Sequence, residues 1–521
     1  MRTIIKNFQL DARKLSGDAD AQAIPLALKH FRIPPKKLTS EMIVSRSIDS
    51  RRGGPHLVYT ILLELADDVK SPLPPATEEE LMKLAPPRLE LEESSLRHPL
   101  VVGTGPAGIF GALALALAGC NPVILDRGAP VEERVADHER FLRTRELDEE
   151  SNLLTGEGGA GTFSDGKLYT GTRDPRGRFV IEALIEAGAP ENIRFHSRPH
   201  VGSDHLRRTC AALRKRIVEL GGEFRFHSRV SDLAADGASV KVRLGSGELL
   251  YAPAVLLAPG LGGRELVRSL GKKYGGTVLK PFQIGCRIEH PQEFVDLCQY
   301  HGSRPECLEA AEYHISGGGV SSFCMCPGGT IVNASAWKNR SCTNGMSLHA
   351  RDGEFANAAL ISTLQPELFG SADDAYALIE KIEAGVFRLG GSDYTFPAQD
   401  ASAFLAGENR LSRKYGSAET GYVPGKIDEL LPPAFRDALR GALADFDRRM
   451  RGFIRHGVFV GAESCVSSPL RMLRDERGAW CAMPQVCPAG EGVGAAGGIV
   501  SAACDGIRSA EAMMKNCRSE S

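Results

Sequence analysis

The fold is decided by the stretch Leu100-Val-Val-Gly-Thr-Gly-Pro-Ala-Gly108, followed by an Ala/Leu-rich run and by Val123-Ile-Leu-Asp-Arg127. This order of apolar and glycine-rich segments predicts a strand, a tight turn, a helix and a second strand. Gly103 permits the turn, Gly105 lets a pyrophosphate approach the backbone, and Gly108 lets the helix pack close to the strand. The free N–H groups and the positive dipole end of that helix favour bound phosphate.

An acidic residue stands where a dinucleotide site needs one. Asp126 lies 23 positions after Gly103, close to the ~20 expected for an acid that holds ribose hydroxyls. A lone glycine pattern is weak evidence, because glycine-rich loops are common. A helix start that is merely glycine-rich would leave Asp126 unexplained, so we predict a dinucleotide site.

The length of 521 residues allows two or three domains, and 42% hydrophobic with 25% charged residues is ordinary for a globular protein. A net charge of −2 gives no general attraction for nucleic acid or an anionic membrane. The longest apolar run, Ile109 to Cys120, has 12 residues, too few to cross a bilayer. We find no secretory signal pattern, and the thirteen cysteines form no CxxC pair. We therefore expect a cytoplasmic protein with reduced thiols, without membrane contact, structural zinc or a thioredoxin-like redox pair.

Residues 1–95 predict a small α+β domain and its linker. Strands are expected at 1–10, 41–48 and 56–65, and a helix at 21–31. Six Lys or Arg and two Asp or Glu lie between Arg32 and Pro55, which keeps a surface for RNA or an acidic partner open. No aromatic platform accompanies these charges, so a solvated sheet edge is the favoured interpretation. The proline-rich, acidic segment from Ser71 to Glu93 is expected to be a linker.

A second glycine-rich loop runs from Asn152 to Lys167. Five glycines between Gly156 and Gly166 make a poor helix or strand and suit a backbone that passes very near a ligand. A flexible surface loop is the alternative, but Phe163 and Leu168 are side chains that favour burial.

Residues 96–274 and 456–521 are predicted to form the two parts of the dinucleotide domain, with residues 275–455 as an inserted substrate domain that has no second GxGxxG after a strand. The hairpin and buried strand within 223–260 are typical of a flavoprotein; a plain NAD dehydrogenase would continue as alternating strands and helices. The segments Cys324–Gly329 and Trp337–Cys342 fit a ligand-facing surface or ordinary turns equally well.

The chain is expected to return to the first domain near its end. Gly494 to Cys504 predicts a helix start rich in small residues, which would let the helix lie against a flat ligand. Its dipole would favour the negative charge of a reduced flavin. A glycine-rich packing helix is the alternative.

Together these segments resemble FAD-binding flavoproteins of the glutathione-reductase-like, two-dinucleotide-binding-domain superfamily. More narrowly, the chain resembles a bacterial family of uncharacterised FAD-dependent dehydrogenases. The motifs that carry the narrower resemblance are Asn152 with Gly156–Lys167, Ser467–Arg471, Ala489–Ala503, and Ser47–Arg51 with Val58–Thr60. The implied fold is α/β, with a discontinuous Rossmann-like FAD-binding domain, an inserted α+β substrate domain and a small N-terminal α+β domain.

The resemblance also implies FAD contacts, residue by residue. The FAD-contacting positions would be Gly103, Gly105, Pro106, Ala107, Gly108, Asp126, Arg127, Gly158, Gly159, Ala160, Gly161, Thr162, Phe163, Ser164, Asp165, Lys167, Val230, Ala258, Gly260, Glu491, Gly497, Gly498 and Ile499. Two of them depart from the superfamily pattern, which usually has Glu in place of Asp126 and Asp in place of Glu491. Lys167 is a candidate catalytic or flavin-tuning cation, with a solvated loop lysine as the alternative.

These features favour an FAD-dependent oxidoreductase that passes a hydride between flavin N5 and an unidentified small molecule. An FAD-dependent monooxygenase using NAD(P)H and O2 is one alternative, and transient NAD(P)H binding over the flavin is open in either case. A flavin-bearing binding or sensor protein with an N-terminal partner-binding or RNA-binding module is another. Nucleic acid is the less favoured partner, and the oligomeric state is not indicated.

Overall fold

The computed structural model describes residues 1–51, 53–66 and 73–519, without the side chains of residues 518 and 519. Arg52 of the basic segment and Ser71 and Pro72 of the expected linker lie outside the described residues.

The N-terminal part is a three-stranded antiparallel sheet with strand order β1-β3-β2 and one long covering helix. Its elements are β1 (Arg2–Asp11), α1 (Ala19–His30), β2 (Leu38–Asp49), β3 (His56–Leu65) and α2 (Glu78–Leu84). The expected strands and helix are thus present within three residues of their predicted bounds. In β3, buried and half-buried residues alternate because successive side chains point to opposite faces.

Part of the segment predicted as a linker between Ser71 and Glu93 forms helix α2. The side chain of Thr77 accepts the Glu80 N–H at 3.2 Å, and the Glu80 carboxylate accepts the Thr77 N–H at 2.8 Å. This reciprocal capping box satisfies two of the N–H groups that a helix start leaves unpaired. The acidic run therefore folds because its first residues cap it.

One residue of the basic segment is internal rather than exposed. Arg46 is buried and pairs with Glu309 at 3.1 Å and with Asp20 at 3.5 Å. Its backbone N–H donates to Phe195 O at 2.7 Å. Arg46 therefore fastens the N-terminal sheet to the rest of the chain and adds nothing to a surface for a basic partner site.

The next part of the chain builds a parallel sheet and a small antiparallel one. Its elements are β4 (Leu100–Val102), α3 (Pro106–Leu117), β5 (Val123–Leu125), α4 (Val131–Thr144), α5 (Arg176–Glu186), α6 (Ser203–Glu219), β6 (Glu223–Arg225), β7 (Val230–Asp236), β8 (Ser239–Leu244), β9 (Leu249–Ala252), β10 (Val255–Leu257) and α7 (Arg264–Tyr274). Strands β7, β8 and β9 form the three-stranded antiparallel sheet.

The middle of the chain forms a seven-stranded sheet of order β13-β14-β17-β12-β20-β18-β19 with helices packed on it. Its elements are β11 (Thr277–Leu279), β12 (Phe282–Pro291), α8 (Gln292–Tyr300), β13 (Ser316–Gly317), β14 (Val320–Cys326), β15 (Thr330–Asn333), β16 (Thr343–Met346), β17 (Phe355–Leu364), α9 (Ala372–Leu389), β18 (Phe396–Asp400), α10 (Ala401–Ala406), β19 (Tyr422–Pro424), α11 (Ile427–Leu430), α12 (Pro433–Arg449), α13 (Phe453–His456) and β20 (Val458–Glu463). Strands β15 and β16 pair separately.

The last part of the chain returns to the parallel sheet. Its elements are β21 (Leu470–Met472), which pairs with β11, β22 (Val486–Pro488) and α14 (Ile499–Ser519). The expected helix start at Gly494 is wrong by five residues. Gly498 has φ +77°, outside the right-handed helical region, so the helix begins only at the next residue.

The order of the parallel sheet is β22-β10-β4-β5-β6. From β4 the chain first builds outward on one side, through β5 and β6, and later on the other, through β10 and β22. Strand β4 is therefore the point at which the order reverses, and ligands of open parallel sheets bind beyond the carboxyl ends of the strands at such a point. The turn after β4 begins at Gly103, the first glycine of the predicted motif.

The helices of the described ranges include none that is long and apolar enough to cross a membrane.

Candidate dinucleotide site and adjoining cavity

A cavity of about 1340 Å³ opens at the carboxyl ends of the parallel strands. One wall is the turn after β4, a second is the loop 159–167, and a third is the segment before α14. The seven-stranded sheet closes the far side with residues of β14, among others. Segments distant in sequence thus line one continuous space.

The turn after β4 is shaped by glycines in two different ways. Gly103 has φ +95°, and a Cβ on it would lie 2.2 Å from Ala258 O; a Cβ on Gly108 would lie 1.8 Å from Gly103 O. Both positions are therefore closed to larger residues by backbone packing. At Gly105 the nearest atom to a Cβ would be 4.0 Å away, so that glycine leaves open space beside the start of α3.

The start of α3 presents N–H groups toward this space. Gly105 is the N-cap and provides no side-chain hydrogen bond, and Pro106 occupies the first helical position. The first N–H groups of a helix have no partner within the helix, and they carry the positive end of its dipole. The turn can therefore hold a phosphate without a charged side chain.

Asp126 follows β5 and is buried at the cavity wall. Its Oδ2 accepts the Thr104 N–H at 2.8 Å and the Thr104 hydroxyl at 2.5 Å, and its Oδ1 accepts the Gly128 N–H at 2.8 Å. The carboxylate is thus fixed in place by the turn itself. Thr104 was not identified from the sequence, although it stands between the first two glycines of the motif.

The loop 156–166 contains one short regular turn, although its five glycines are unfavourable for a helix or strand. Residues Gly159–Phe163 form a short 3-10 turn, and the buried Arg134 side chain of α4 donates to the carbonyls of Glu157, Gly159 and Asn152. A Cβ on Gly159 would lie 3.1 Å from the Cα of Gly105, so the two glycine segments meet backbone to backbone. Arg134 therefore holds the loop against the turn after β4. The sequence motifs did not identify this residue.

Four of the predicted cofactor positions do not line the cavity. Gly108 packs behind the turn, and Gly158 lies against Thr162 and Cys210. Thr162 donates its hydroxyl to Glu157 O at 2.9 Å, and Phe163 is buried between the guanidinium groups of Arg134 and Arg207, each 4.9 Å from its ring centroid. Gly158, Thr162 and Phe163 thus pack on the side of the loop that faces away from the cavity, and Gly108 lets α3 pack against the turn after β4.

The remaining predicted positions do line the cavity. They are Gly103, Gly105, Pro106, Ala107, Asp126, Arg127, Gly159, Ala160, Gly161, Ser164, Asp165, Lys167, Val230, Ala258, Gly260, Glu491, Gly497, Gly498 and Ile499. Arg127 is already engaged, because it donates to Glu150 at 2.9 Å and to Gly262 O at 3.0 Å. Their contacts with a cofactor stay a prediction.

Lys167 belongs to a buried charge cluster. Its Nζ lies 2.9 Å from Oδ2 of Asp165, and Arg351 binds the same carboxylate through two N–H groups at 2.9 and 2.5 Å. Burial opposes the charged forms, but Lys167 and Arg351 outweigh it and hold the pKa of Asp165 below its usual value. In turn the Asp165 carboxylate raises the pKa of Lys167 against the effect of burial. Lys167 is therefore a fixed cation at the cavity wall rather than a solvated loop lysine.

The wall before α14 combines bare backbone with one acid. Gly498 and Gly260 both line the cavity, and a Cβ on either would meet nothing within 4 Å. Oε1 of Glu491 accepts the Ser468 N–H at 3.2 Å, and a Cβ on Gly497 would come within 2.0 Å of its Oε2. Burial raises the pKa of Glu491 although Lys280 opposes this.

The fold and the cavity define a mixed α/β protein with a large ligand space at the glycine turn of a parallel sheet. Residues 281–465 match the family model described as FAD-dependent protein, C-terminal domain-like. The chain is 38% identical over 451 residues to an uncharacterized protein of Clostridium beijerinckii, covering 83% of each chain. The chain belongs to the same family as that protein. The cofactor of the chain is FAD.

Two solved structures resemble the chain more weakly. CtdE in complex with FAD is 11% identical, with 79% of this chain and 82% of that chain covered and a TM-score of 0.31. A mutant of 2-methyl-3-hydroxypyridine-5-carboxylic acid oxygenase is 12% identical, with 82% and 84% covered and a TM-score of 0.33. Because both TM-scores lie below 0.5, these likenesses carry no inference about activity.

The residues present fit FAD. The open space at Gly105 and the unpaired N–H groups of α3 suit its pyrophosphate, and Asp126 lies at the wall where a ribose would follow. The bare backbone at Gly498 leaves room for a flat ring system. The fit to FAD therefore rests on three parts of the cavity: the turn after β4, the wall at Asp126 and the segment before α14.

Proposed function

We propose that the protein is an FAD-dependent oxidoreductase of the glutathione-reductase-like superfamily, passing a hydride between flavin N5 and a small organic molecule. The observation that carries this proposal is the continuity of the cavity. The space beside the glycine turn is the same space that Lys167, Tyr169 and β14 border. A cofactor and a substrate would therefore share one chamber.

The size of the cavity supports two occupants. Typical small-molecule sites enclose roughly 300–1,000 Å³, and the cavity has about 1340 Å³. The glycine turn and the segment before α14 contribute mostly backbone and small residues, whereas other parts of the lining carry charged and aromatic side chains, among them Arg198, Glu312 and Tyr313. These side chains have the polar groups that select and orient a substrate.

When bound, FAD supplies the two-electron chemistry. Gly105, Ala107 and Asp126 would hold its nucleotide half, and Gly161, Gly498 and Ile499 would border its ring. Lys167 keeps its proton at Nζ because Asp165 lies 2.9 Å away, and Arg351 keeps Asp165 in place. A fixed cation at this wall would stabilise negative charge that develops in the chamber.

The test is an anaerobic titration of the purified, FAD-loaded protein with NADH and with NADPH, followed through the visible flavin absorbance. We expect one bound FAD per chain and bleaching by a nicotinamide nucleotide. Oxygen uptake that depends on an added organic substrate would instead favour a monooxygenase. A colourless protein that takes up no added FAD would overturn the proposal.

A further inference from the structure

Two cysteines stand on one strand at the cavity wall. Cys324 and Cys326 lie near the end of β14, and Cys324 lines the cavity while Cys326 is buried behind it. Phe323 pairs with Ala359 of β17, but Cys326 pairs with Asn357, so β14 has one residue more than its partner between these positions. This is a β-bulge, a feature that changes the direction in which side chains point.

The bulge places Cys324 in an unusual backbone conformation. Its φ is +45°, in the left-handed region that residues with a Cβ seldom occupy. In this geometry the Cys326 thiol donates to Cys324 O at 3.3 Å, and it lies close enough to the Cys324 thiol to change the pKa of that group. A regular strand would place these two side chains on one face but about 6.6 Å apart along the strand. The bulge and the left-handed backbone at Cys324 change this separation.

The pair lies in an electropositive environment. Lys167 Nζ approaches Cys326 Sγ at 3.8 Å, and the buried Arg287 donates to Cys324 O at 3.4 Å. The hydrogen bond from Cys326, helped by Lys167 and Arg287, lowers the pKa of Cys324 although burial and Asp165 oppose it. The same interaction and burial raise the pKa of Cys326. The two thiols therefore titrate as a coupled pair, in which the neighbouring cations favour the thiolate form of Cys324.

A second pair of neighbouring thiols has different surroundings. Cys342 and Cys465 are also close enough for Cys465 to lower the pKa of Cys342, but burial and the carboxylate of Glu383 oppose this. Cys465 Sγ lies 3.8 Å from a carboxylate oxygen of the buried Glu383. A carboxylate disfavours a nearby thiolate, whereas the lysine beside Cys324 and Cys326 favours one.

We propose that Cys324 and Cys326 form a redox-active dithiol that exchanges two electrons with FAD. The proposal rests on the oxidoreductase function proposed above and identifies the chain's own thiol–disulfide couple as a reactant. One S–S bond forms as the Cys324 thiolate and the Cys326 S–H give up two electrons and one proton. Bound FAD would accept both electrons and the proton would go to flavin N5, so charge and atoms balance. The reverse transfer would open the disulfide.

Two measurements on the FAD-loaded protein test this. After air oxidation, removal of the oxidant and denaturation, thiol titration is expected to give two fewer thiols than the thirteen cysteines of the sequence. Peptide mapping should find the link between Cys324 and Cys326. Anaerobic reduction with dithionite should consume about four electrons per chain, two for FAD and two for the disulfide.

The variants distinguish this pair from other thiols. Cys326→Ser and, separately, Cys324→Ser should bind FAD, keep every remaining thiol and consume about two electrons per chain. Cys481→Ser, an exposed cysteine, should behave as the wild type. A link between Cys342 and Cys465, or two-electron reduction of the wild type with all thirteen thiols free, would overturn the inference and leave the proposed function standing. Failure of the wild type to take up FAD would count against the proposed function itself.

Discussion

The Thr104 hydroxyl and the Asp126 carboxylate join the ends of neighbouring strands β4 and β5, 2.5 Å apart, at the point where the strand order of the sheet reverses. The acid is thereby positioned before any cofactor arrives. Both the N–H and the hydroxyl of Thr104 donate to Oδ2 of Asp126, so the hydroxyl can be removed while the backbone hydrogen bond stays.

Thr104→Val removes the hydroxyl and keeps the shape and the backbone N–H. Removing one partner of a buried hydrogen bond costs about 1–3 kcal/mol, so the free energy of unfolding should fall by this order. The FAD dissociation constant should rise as Asp126 loses its fixed position. Urea unfolding of the apoprotein and fluorescence titration with FAD measure the two effects. Thr104→Ser keeps the hydroxyl and should stay near the wild type; an equal loss in both variants would contradict this account.

Gly105→Ala is expected to separate folding from cofactor binding. Gly105 has φ −66° and ψ 179°, which alanine adopts readily, and its Cβ would meet open space. Apoprotein stability should therefore change by less than about 0.5 kcal/mol, whereas FAD affinity should fall at least about tenfold because the methyl group occupies phosphate space.

Gly103→Ala is the matched comparison. Its Cβ would lie 2.2 Å from Ala258 O at φ +95°, so the variant should unfold far more easily than Gly105→Ala. Chemical denaturation of both apoproteins gives the comparison. Normal FAD affinity in Gly105→Ala would show that the phosphates bind elsewhere.

Arg351→Met should destabilise the protein by roughly 3–5 kcal/mol, which is the usual cost of removing one partner of a buried ion pair while the other stays buried. Asp165 is 1% exposed and would retain Lys167 alone. Arg351→Lys keeps the charge but loses the two-pronged geometry, so a smaller loss is expected. Urea unfolding measures both, and equal stability of wild type and Arg351→Met would contradict the assigned role.

Lys167→Gln removes the cation from the cavity wall. If the ammonium stabilises the reduced flavin, the two-electron midpoint potential should fall, by about 30 mV for each tenfold change in the equilibrium. Spectroelectrochemical titration of the FAD-loaded variant measures this, and Lys167→Arg should restore the potential. If the variant binds FAD and its potential is unchanged, then Lys167 pairs with Asp165 but does not stabilise the reduced flavin.

The burial of His290 predicts that the folded protein loses stability in mild acid. Burial lowers its pKa to about 3, although its ring donates to Phe453 O at 2.9 Å. The unfolded chain takes up this proton below about pH 6.5 while the folded chain does not, so stability present above pH 6.5 is lost as the pH falls, by about 1.4 kcal/mol per pH unit. The unfolding free energy of His290→Gln should depend less steeply on pH, because unfolding of this variant takes up one proton fewer in this pH range. Identical slopes from pH 6 to pH 4 would refute this.

Local patterns in the sequence predicted the parallel sheet and its turn well. Gly103, Gly108 and the apolar runs around them act on neighbours a few residues away, where spacing is informative. The start of α14 was misplaced because small residues are compatible with both helix and loop, and only the φ of Gly498 decides between them.

The charge cluster and the thiol pair could not be predicted in this way. Arg351 reaches Asp165 across 186 positions of sequence, and Lys167 reaches Cys326 across 159. Such contacts depend on how the sheets pack, which no local spacing encodes. The bulge that joins Cys324 to Cys326 likewise depends on the register of β14 against β17.

The sheet that carries the glycine turn is completed by β22, which pairs with β10, and α14 adds the final wall of the cavity. A ribosome makes these two elements long after the turn at Gly103. A nascent chain therefore has only part of the pocket until β22 and α14 have emerged. Uptake of FAD would then mark a chain that has been made through α14, and a chain truncated before β22 would stay colourless and expose the unpaired edge of β10.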